Sequence, residues 1–232
     1  MTAADLAHFE AEWVAPLSTT YRGWEVYEIP PNSQGVAALA MLNIVERFPL
    51  GAFGPGSADA LHVLIEAKKL AFADMQRYVG DPRFSRIPLE QMLSKSYAAE
   101  RAAFIDPARA AGAVSAGIFP THGGDTTYLC AVDARGNICS LIQSNFANFG
   151  SGVVPGGCGF VLQSRGGLFS LDPTHPNALA PRKRPLQTVD GQRLVKPRGD
   201  LGLWVRERKW QGTNRGKSVK KEFTDNVNPK MR

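Results

Sequence analysis

A layered α/β or α+β domain is the fold class this sequence predicts, and three observations predict it. Residues 33–105 are patterned for helices. From Thr126 the period changes to strand, turn, strand, with β-branched and aromatic runs between turn residues. No apolar stretch approaches the roughly 18 residues of a membrane span, and 44% hydrophobic and 21% charged residues, with 23 Gly and 16 Pro in 232, suit a turn-rich globular chain.

The elements follow in order. "STTYRGWEVYEIPP" (Ser18–Pro31) reads as a strand pair around "RG", ended by Pro30 and Pro31. "SQGVAALAMLNIVERF" has almost no polar face, so it reads as a buried helix with Ser33 as N-cap. After Gly56, the residues Leu61, Ile65, Lys68, Phe72, Met75 and Val79 recur at spacings of four and three, one helical stripe. Ser57 caps that helix, Asp59 suits its N-terminal dipole, and Gly80 with Pro82 ends it. Lys68 interrupts the stripe and is expected to snorkel to its edge. Pro88–Ile105 gives one or two further helical segments, and the small-residue stretch after Pro107 is a loop. "TTYLCAV", the turn "DARGN" and "ICSLIQS" make a strand pair. "GSGVVPGGCGFVLQSRGG" is expected to continue as short strands broken by glycine.

Charge is uneven. The net charge is +6, yet residues 190–232 carry the whole basic excess and the body before them is slightly acidic. That tail has no sustained period and reads as disordered or loosely packed. Its Lys/Arg cluster with Trp204 and Trp210 would be the footprint of a nucleic-acid binder. No RNA- or DNA-binding motif accompanies it, so nucleic acid is not the expected partner, and neither is a membrane. The start, "MTAADLAHFEAEW", has no basic region followed by an apolar one, so the chain as written reads as cytoplasmic.

The residues for chemistry are few. Cys130, Cys139 and Cys158 lack metal or redox spacing and read as buried free thiols. His8, His62, His122 and His175 form no zinc-binding pattern, and there is no nucleophile elbow or phosphate loop, so neither a metal nor a cofactor is expected. One possibility remains in "GGDTTYLC". A threonine hydroxyl is a weak nucleophile unless a base sits beside it. A threonine that becomes the first residue of a chain has its own α-amine for that purpose. From residue types alone, the pair Thr126–Thr127 reads either this way or simply as the opening of a strand.

Two long stretches bear on that choice. "DTTYLCAVDARGNICSLIQSNFANFGSGVVPGGCGFVLQSRGGLFSLDPTHPNALAPRKRPLQT" resembles the gamma-glutamyltransferase family of N-terminal-nucleophile hydrolases, in its cephalosporin-acylase-like branch. So does "EWVAPLSTTYRGWEVYEIPPNSQGVAALAMLNIVERF" with "IEAKKLAFADMQRYVGDPRF". The resemblance implies an αββα sandwich, incomplete here. It implies a precursor that cuts itself between Asp125 and Thr126, with Thr126 as the nucleophile that takes an acyl group from a γ-glutamyl or related amide. Residues 1–125 would be the end of the large subunit, 126–189 the start of the small one, and 190–232 a tail foreign to the family. Ser144 would hydrogen-bond the nucleophile, and Phe146, Arg165 and Thr188 would contact substrate. Glutathione-hydrolysing members carry Asn, Gln and a carboxylate where this chain has Phe146, Arg165 and Leu168, and two serines where it has Gln187 and Thr188. The resemblance therefore implies an altered acyl pocket. It also implies that an upstream substrate-clamping arginine and a downstream Gly-Gly oxyanion segment lie outside this chain. The expectation that follows is a poorly stable, unprocessed chain, or an inactive remnant of the family.

Overall fold

The computed structural model describes residues 2–112, 126–133, 137–188, 193–195 and 201–202. A short capped helix, α1 (Ala3–Ala7), opens it. The expected hairpin follows. β1 (Leu17–Tyr21) pairs antiparallel with β2 (Trp24–Glu28), Thr19 opposite Val26. Arg22 and Gly23 form the turn, with φ of 48° and 81°, the two positive values that match the twist of the strands they join.

The other edge of β2 takes β5 (Arg193–Val195), which takes β6 (Leu201–Gly202), so the sheet order is β1-β2-β5-β6. Both strands lie past the composition break at residue 189. Five residues of the stretch expected to be disordered are thus in the sheet. β2 supplies an edge for β5 and β5 one for β6, and composition carries no trace of such edges.

Helix α2 (Gly35–Val45) is buried on nearly every side, as its all-apolar pattern requires. It touches the β1–β2 hairpin, α4 and α6. Its cap position is Gln34 rather than Ser33, and no side chain caps it. The Ser33 hydroxyl instead donates to the Ile29 carbonyl at 2.6 Å and accepts from the Gly35 N–H at 3.2 Å. A Cβ on Gly35 would stand 2.7 Å from the Ile29 carbonyl oxygen and 2.8 Å from the Glu28 Cβ, so the helix starts hard against β2. Asn43, fully buried, joins three elements. Its Oδ1 accepts from the Thr19 hydroxyl (2.7 Å) and the Lys95 ammonium (2.6 Å), and its Nδ2 donates to the Leu93 carbonyl (2.9 Å).

After the single turn α3 (Leu50–Phe53) comes α4 (Ala58–Tyr78), the longest helix. Ser57 caps it, accepting from the Ala60 N–H at 3.2 Å, with Asp59 in the first turn. The expected stripe is buried only towards the C-terminal end, where Met75 and Val79 join the core and Phe72 packs against it. Leu61 and Ile65 are 49% and 53% exposed, while Ala60, Val63, Glu66, Ala67, Leu70, Ala71 and Asp74 are buried. Alanines let α4 approach α2 closely. The two acids inside are satisfied locally, Glu66 by Lys69 at 2.6 Å and Asp74 by Arg101 at 3.0 Å. A reading that counts large apolar side chains misses such a face. Lys68 lies over the Phe72 ring, 5.6 Å from its centroid.

Two short helices, α5 (Leu89–Met92) and α6 (Lys95–Ala102), complete the helical half. The core falls into two clusters. Val36, Ala37 and Ala40 meet Ala71, Met75, Val79, Met92 and Leu186; Ile44 and Val45 meet Val63, Ala67, Leu70, Ala98 and Ile105.

The second half begins with an antiparallel ribbon, β3 (Thr126–Val132) and β4 (Ile138–Ser144), separate from the sheet. Its turn is closed by the Asp133 carboxylate, which accepts from the Asn137 N–H and side-chain amide, each at 2.8 Å. The strands expected at 151–164 are turns and bends. Gly150, Gly152, Gly157 and Gly159 all take positive φ, which breaks an extended run before a ladder can form. A 3₁₀ turn follows at Arg165–Leu168. Cys139 and Cys158 are free thiols, but neither is buried: Cys139, on the ribbon, is exposed and Cys158 is of intermediate exposure. Among the described residues no helix is long and apolar enough to cross a membrane.

Candidate active site

The ribbon's open end brings the two hydroxyl residues into register. Thr126, the first residue of β3, is the direct partner of Ser144, the last residue of β4, and Thr127 is the partner of Gln143. Directly opposed positions in an antiparallel pair share a face and successive ones alternate. The two threonines therefore differ in register partner. Asp125, the other half of the implied cleavage site, lies outside the described residues.

Past Ser144 the chain turns sharply. Phe146 has φ of 76°, a left-handed conformation that costs a bulky residue on the order of 1–3 kcal/mol. Its N–H donates to the Ser144 hydroxyl oxygen at 2.9 Å. The turn is clamped from the far end of the loop. The Ser164 N–H and hydroxyl both donate to the Asn145 carbonyl, at 3.0 and 3.2 Å.

That clamp delivers Arg165. Its guanidinium lies over the Phe146 ring, 5.6 Å from the centroid, and its Nη1 donates to the Ser144 carbonyl at 3.0 Å. The residue is only 7% exposed. Burial lowers its pKa from the ordinary arginine value, since a charged form is disfavoured away from water. Ser144, Phe146 and Arg165, three of the residues read from the sequence, thus form one contact cluster at the end of β4, where Ser144 is the register partner of Thr126.

Thr188 stands apart from that cluster. Its carbonyl accepts from the Gln34 side-chain amide at 2.7 Å, and its neighbour Gln187 donates its N–H to the Asn32 carbonyl at 2.7 Å. The Asn32 amide in turn donates to the Pro185 carbonyl. The link between the two groups is Asn177, 2% exposed, which the sequence reading passed over. Its Nδ2 donates to the Leu168 carbonyl at 2.8 Å, closing the 3₁₀ turn, and its Oδ1 accepts from the Leu186 N–H at 3.1 Å. Nothing in its place in "PNALAPRKRPL", among prolines and small residues, marks it as buried.

A second missed residue, Asp81, anchors the same segment to the helical half. It is fully buried and receives Arg83 through Nε (3.1 Å to Oδ1, 3.2 Å to Oδ2) and Nη2 (2.7 Å), and the Arg184 N–H at 2.9 Å. Burial raises its pKa, but these hydrogen bonds outweigh it and hold the carboxyl well below the usual range. Beside it, a Cβ on Gly80 would stand 2.3 Å from the Pro176 carbonyl oxygen. Only glycine permits that approach.

A cavity of about 480 Å³ lies between the end of α4 and residues 173–183, lined by Arg77, Tyr78, Phe84, His175 and Lys183 among others. None of the residues read from the sequence as site residues lines it. Among the described residues no group of three His, Cys, Asp or Glu side chains could hold a metal ion.

Comparison with known proteins gives a consistent result. The family model described as Gamma-glutamyltranspeptidase matches residues 1–202. The "Glutathione hydrolase-like YwrD proenzyme" of Bacillus subtilis (strain 168) is 44% identical over 189 residues, which is 82% of this chain and 35% of that protein. The "Glutathione hydrolase proenzyme" of Escherichia coli (strain K12) is 35% identical over 210 residues, 84% of this chain and 36% of that protein. Among solved structures, a cephalosporin acylase from Bacillus halodurans superposes with a TM-score of 0.73 at 44% identity, covering 88% of this chain and 36% of that one. The chain thus spans about a third of the length of the relatives it matches.

Proposed function

The chain belongs to the gamma-glutamyltranspeptidase family, and from that premise we propose that it is the nucleophile-bearing part of an N-terminal-threonine amidohydrolase or acyltransferase. The observation that carries this reading is the register of Thr126 on Ser144 at the open end of the ribbon. In the proposed maturation, the Thr126 hydroxyl attacks the Asp125 carbonyl, the peptide C–N bond breaks to give an ester, and water hydrolyses that ester. Thr126 is left with a free α-amine. In turnover the amine takes the hydroxyl proton as Oγ attacks the amide carbon of the substrate, then gives it to the departing amine. The acyl group passes from Oγ to water or to a second amine. Ser144 orients Oγ, and Arg165, by holding the Ser144 carbonyl, keeps the end of β4 in place.

Pairing of two pieces after such a cut is supported by contacts that cross residue 125. Asn32 and Gln34 hold residues 185–188, Asp81 holds Arg184, and β2 pairs with β5. These are the contacts through which a large and a small subunit would stay together. The name of the cephalosporin acylase neighbour, and the residues Phe146, Arg165 and Leu168, support an acyl pocket different from that of a glutathione hydrolase.

Intact mass and a chromogenic amide assay on the purified protein test the reading. A new N-terminus at Thr126, with amide hydrolysis, both abolished in Thr126→Ala, is the expected result. Hydrolysis that survives Thr126→Ala, or a single uncut mass with no turnover, overturns it.

A further inference from the structure

We propose that the cavity beside the C-terminal end of α4 is a binding site for a small organic phosphate, a phosphate monoester with an apolar body. Neither Thr126 nor Ser144, Phe146 or Arg165 lines it, so the inference stands apart from the reading of Thr126 as nucleophile.

The charge in its walls is of one sign. Arg77, Arg86 and Lys183 line the cavity, and among the described residues no aspartate or glutamate does. None of the three forms an ion pair with a described carboxylate. Three acids close to them in the sequence are engaged elsewhere: Asp74 by Arg101, Asp81 by Arg83 and Arg184, and Asp172 by the Thr174 N–H and hydroxyl. The cations gather here although the body before residue 190 is slightly acidic. A cleft lined by one sign of charge concentrates counter-ions of the other.

The donors are held in place before any ligand arrives. The Lys183 ammonium lies over the Phe84 ring, 5.3 Å from its centroid, and the Arg77 guanidinium over the Tyr78 ring at 5.8 Å. Such contacts restrict the side chain without neutralising its charge, which lowers the ordering cost of binding. His175 is fixed as well. Its Nδ1 accepts from the Asn177 N–H at 3.0 Å, so the neutral ring keeps its proton on Nε2 and offers a donor there. Asn177 is also the residue that closes the 3₁₀ turn through the Leu168 carbonyl, so one strut holds both His175 and the turn that carries Arg165.

This donor set matches a phosphate monoester better than a carboxylate. A guanidinium pair, an ammonium and an imidazole N–H around one space ask for several acceptor oxygens and more than one charge. A carboxylate has two oxygens and a single charge, whereas a phosphate monoester has three terminal oxygens and close to two charges. The volume, about 480 Å³, falls in the roughly 300–1,000 Å³ range of small-molecule sites and leaves room for an organic body. Leu179 and the edges of Tyr78 and Phe84, all exposed, give that body an apolar surface.

The test is calorimetric binding to the unaltered protein at low salt and about pH 8, where a phosphate monoester carries about two negative charges. Three probes are compared: phenyl phosphate; phenyl sulfate, with the same body and one charge; and inorganic phosphate, with no body. Phenyl phosphate is expected to bind at least about tenfold tighter than phenyl sulfate, the size of one further charge-assisted contact, and tighter than inorganic phosphate, and to weaken as salt is added. Arg86→Met with Lys183→Met is expected to weaken it at least about tenfold. Arg47→Met removes the same charge from an exposed arginine that does not line the cavity, and is expected to leave it unchanged. No binding of phenyl phosphate, equal binding of phenyl sulfate or inorganic phosphate, or an affinity unchanged in the double variant, as a ligand held by the basic residues 190–232 would show, overturns the proposal. Should the double variant fail to fold, Arg86→Met alone decides, since that side chain is exposed and in no ion pair among the described residues: weaker binding supports the site and unchanged binding overturns it.

Discussion

The two halves of the molecule are held together by different means. In residues 2–112 the order comes from apolar packing: α2 is buried against the β1–β2 hairpin and α4, with two hydrophobic clusters around it. In residues 139–188 the described residues include three that are buried, Arg165, Asn177 and Leu186, and two of those three are polar. That half stays in place through single hydrogen bonds and through struts that reach back to the first half: Asn32, Gln34 and Asp81. The candidate chemistry sits in the half with almost no core of its own. Its geometry is fixed by a handful of polar contacts, each of which can be removed singly.

The largest effect on stability is therefore expected in the first half. Leu39 is fully buried in α2, and Leu39→Ala leaves a cavity in a layer packed on two sides. A loss of about 3–4 kcal/mol is expected in chemical denaturation. A loss below about 1 kcal/mol would mean that α2 is not the centre of the core.

Next comes the bridge between the halves. Asp81→Ala removes the acceptor of Arg83 and of the Arg184 N–H. Both arginine side chains reach solvent in part and can rehydrate, so the expected loss is smaller, about 2–3 kcal/mol. The pH dependence has a definite sign. The carboxyl of Asp81 titrates below its unfolded value of 3.8, so the unfolded chain binds the proton first as pH falls. The stability from Asp81 is complete above about pH 4 and is lost as pH drops from there through the folded value. Asp74, raised by burial despite Arg101 and Tyr97, contributes with the opposite sign. Asp81→Asn is expected to flatten the fall in stability below pH 4. An acid profile unchanged in that variant would remove Asp81 as its source.

Smaller again is the strut inside the second half. Asn177→Ala strips the Leu168 carbonyl and the Leu186 N–H of their partners at once, a cost of about 2 kcal/mol. The loss is expected to be local. Amide exchange should speed up at residues 165–168 and 186 and stay slow in α4. Equal acceleration in α4 would mean that the halves unfold as one unit and that the contrast between them is only one of appearance.

This contrast also decides what could be read from the sequence. Apolar pattern and turn chemistry gave the β1–β2 hairpin, α2, α5, α6 and the β3–β4 ribbon. They are local signals, and those elements obey local rules. The strands expected after Gly150 were not found, because positive-φ glycines override an apolar run. β5 and β6 were missed because a strand made by an edge partner leaves little mark on composition. For the site, Ser144, Phe146 and Arg165, named from the sequence, do come together. Asn177 and Asp81 were not legible, since a buried polar residue looks like a surface one until its partners, 9 and 103 residues away, are known.

The smallest expected effect is the sharpest test of the first half. The spacing of Leu61, Ile65, Lys68, Phe72, Met75 and Val79 made one helical stripe, and a stripe of that kind is normally a core face. On that reading, Leu61→Ser with Ile65→Ser would cost several kcal/mol. The structure turns this end of α4 the other way: both residues are about half exposed, and the contact with α2 is made by alanines and Val63. The double variant is therefore expected to change stability by less than about 1 kcal/mol, while Ala67→Leu, overfilling the close approach of α4 to α2, costs about 1–3 kcal/mol. A reversed order, with the leucine tolerated and the serines costly, would mean that α4 is rotated about its axis. Glu66 and Asp74 would then face solvent, and the ion pairs that let α4 bury acids would have no role.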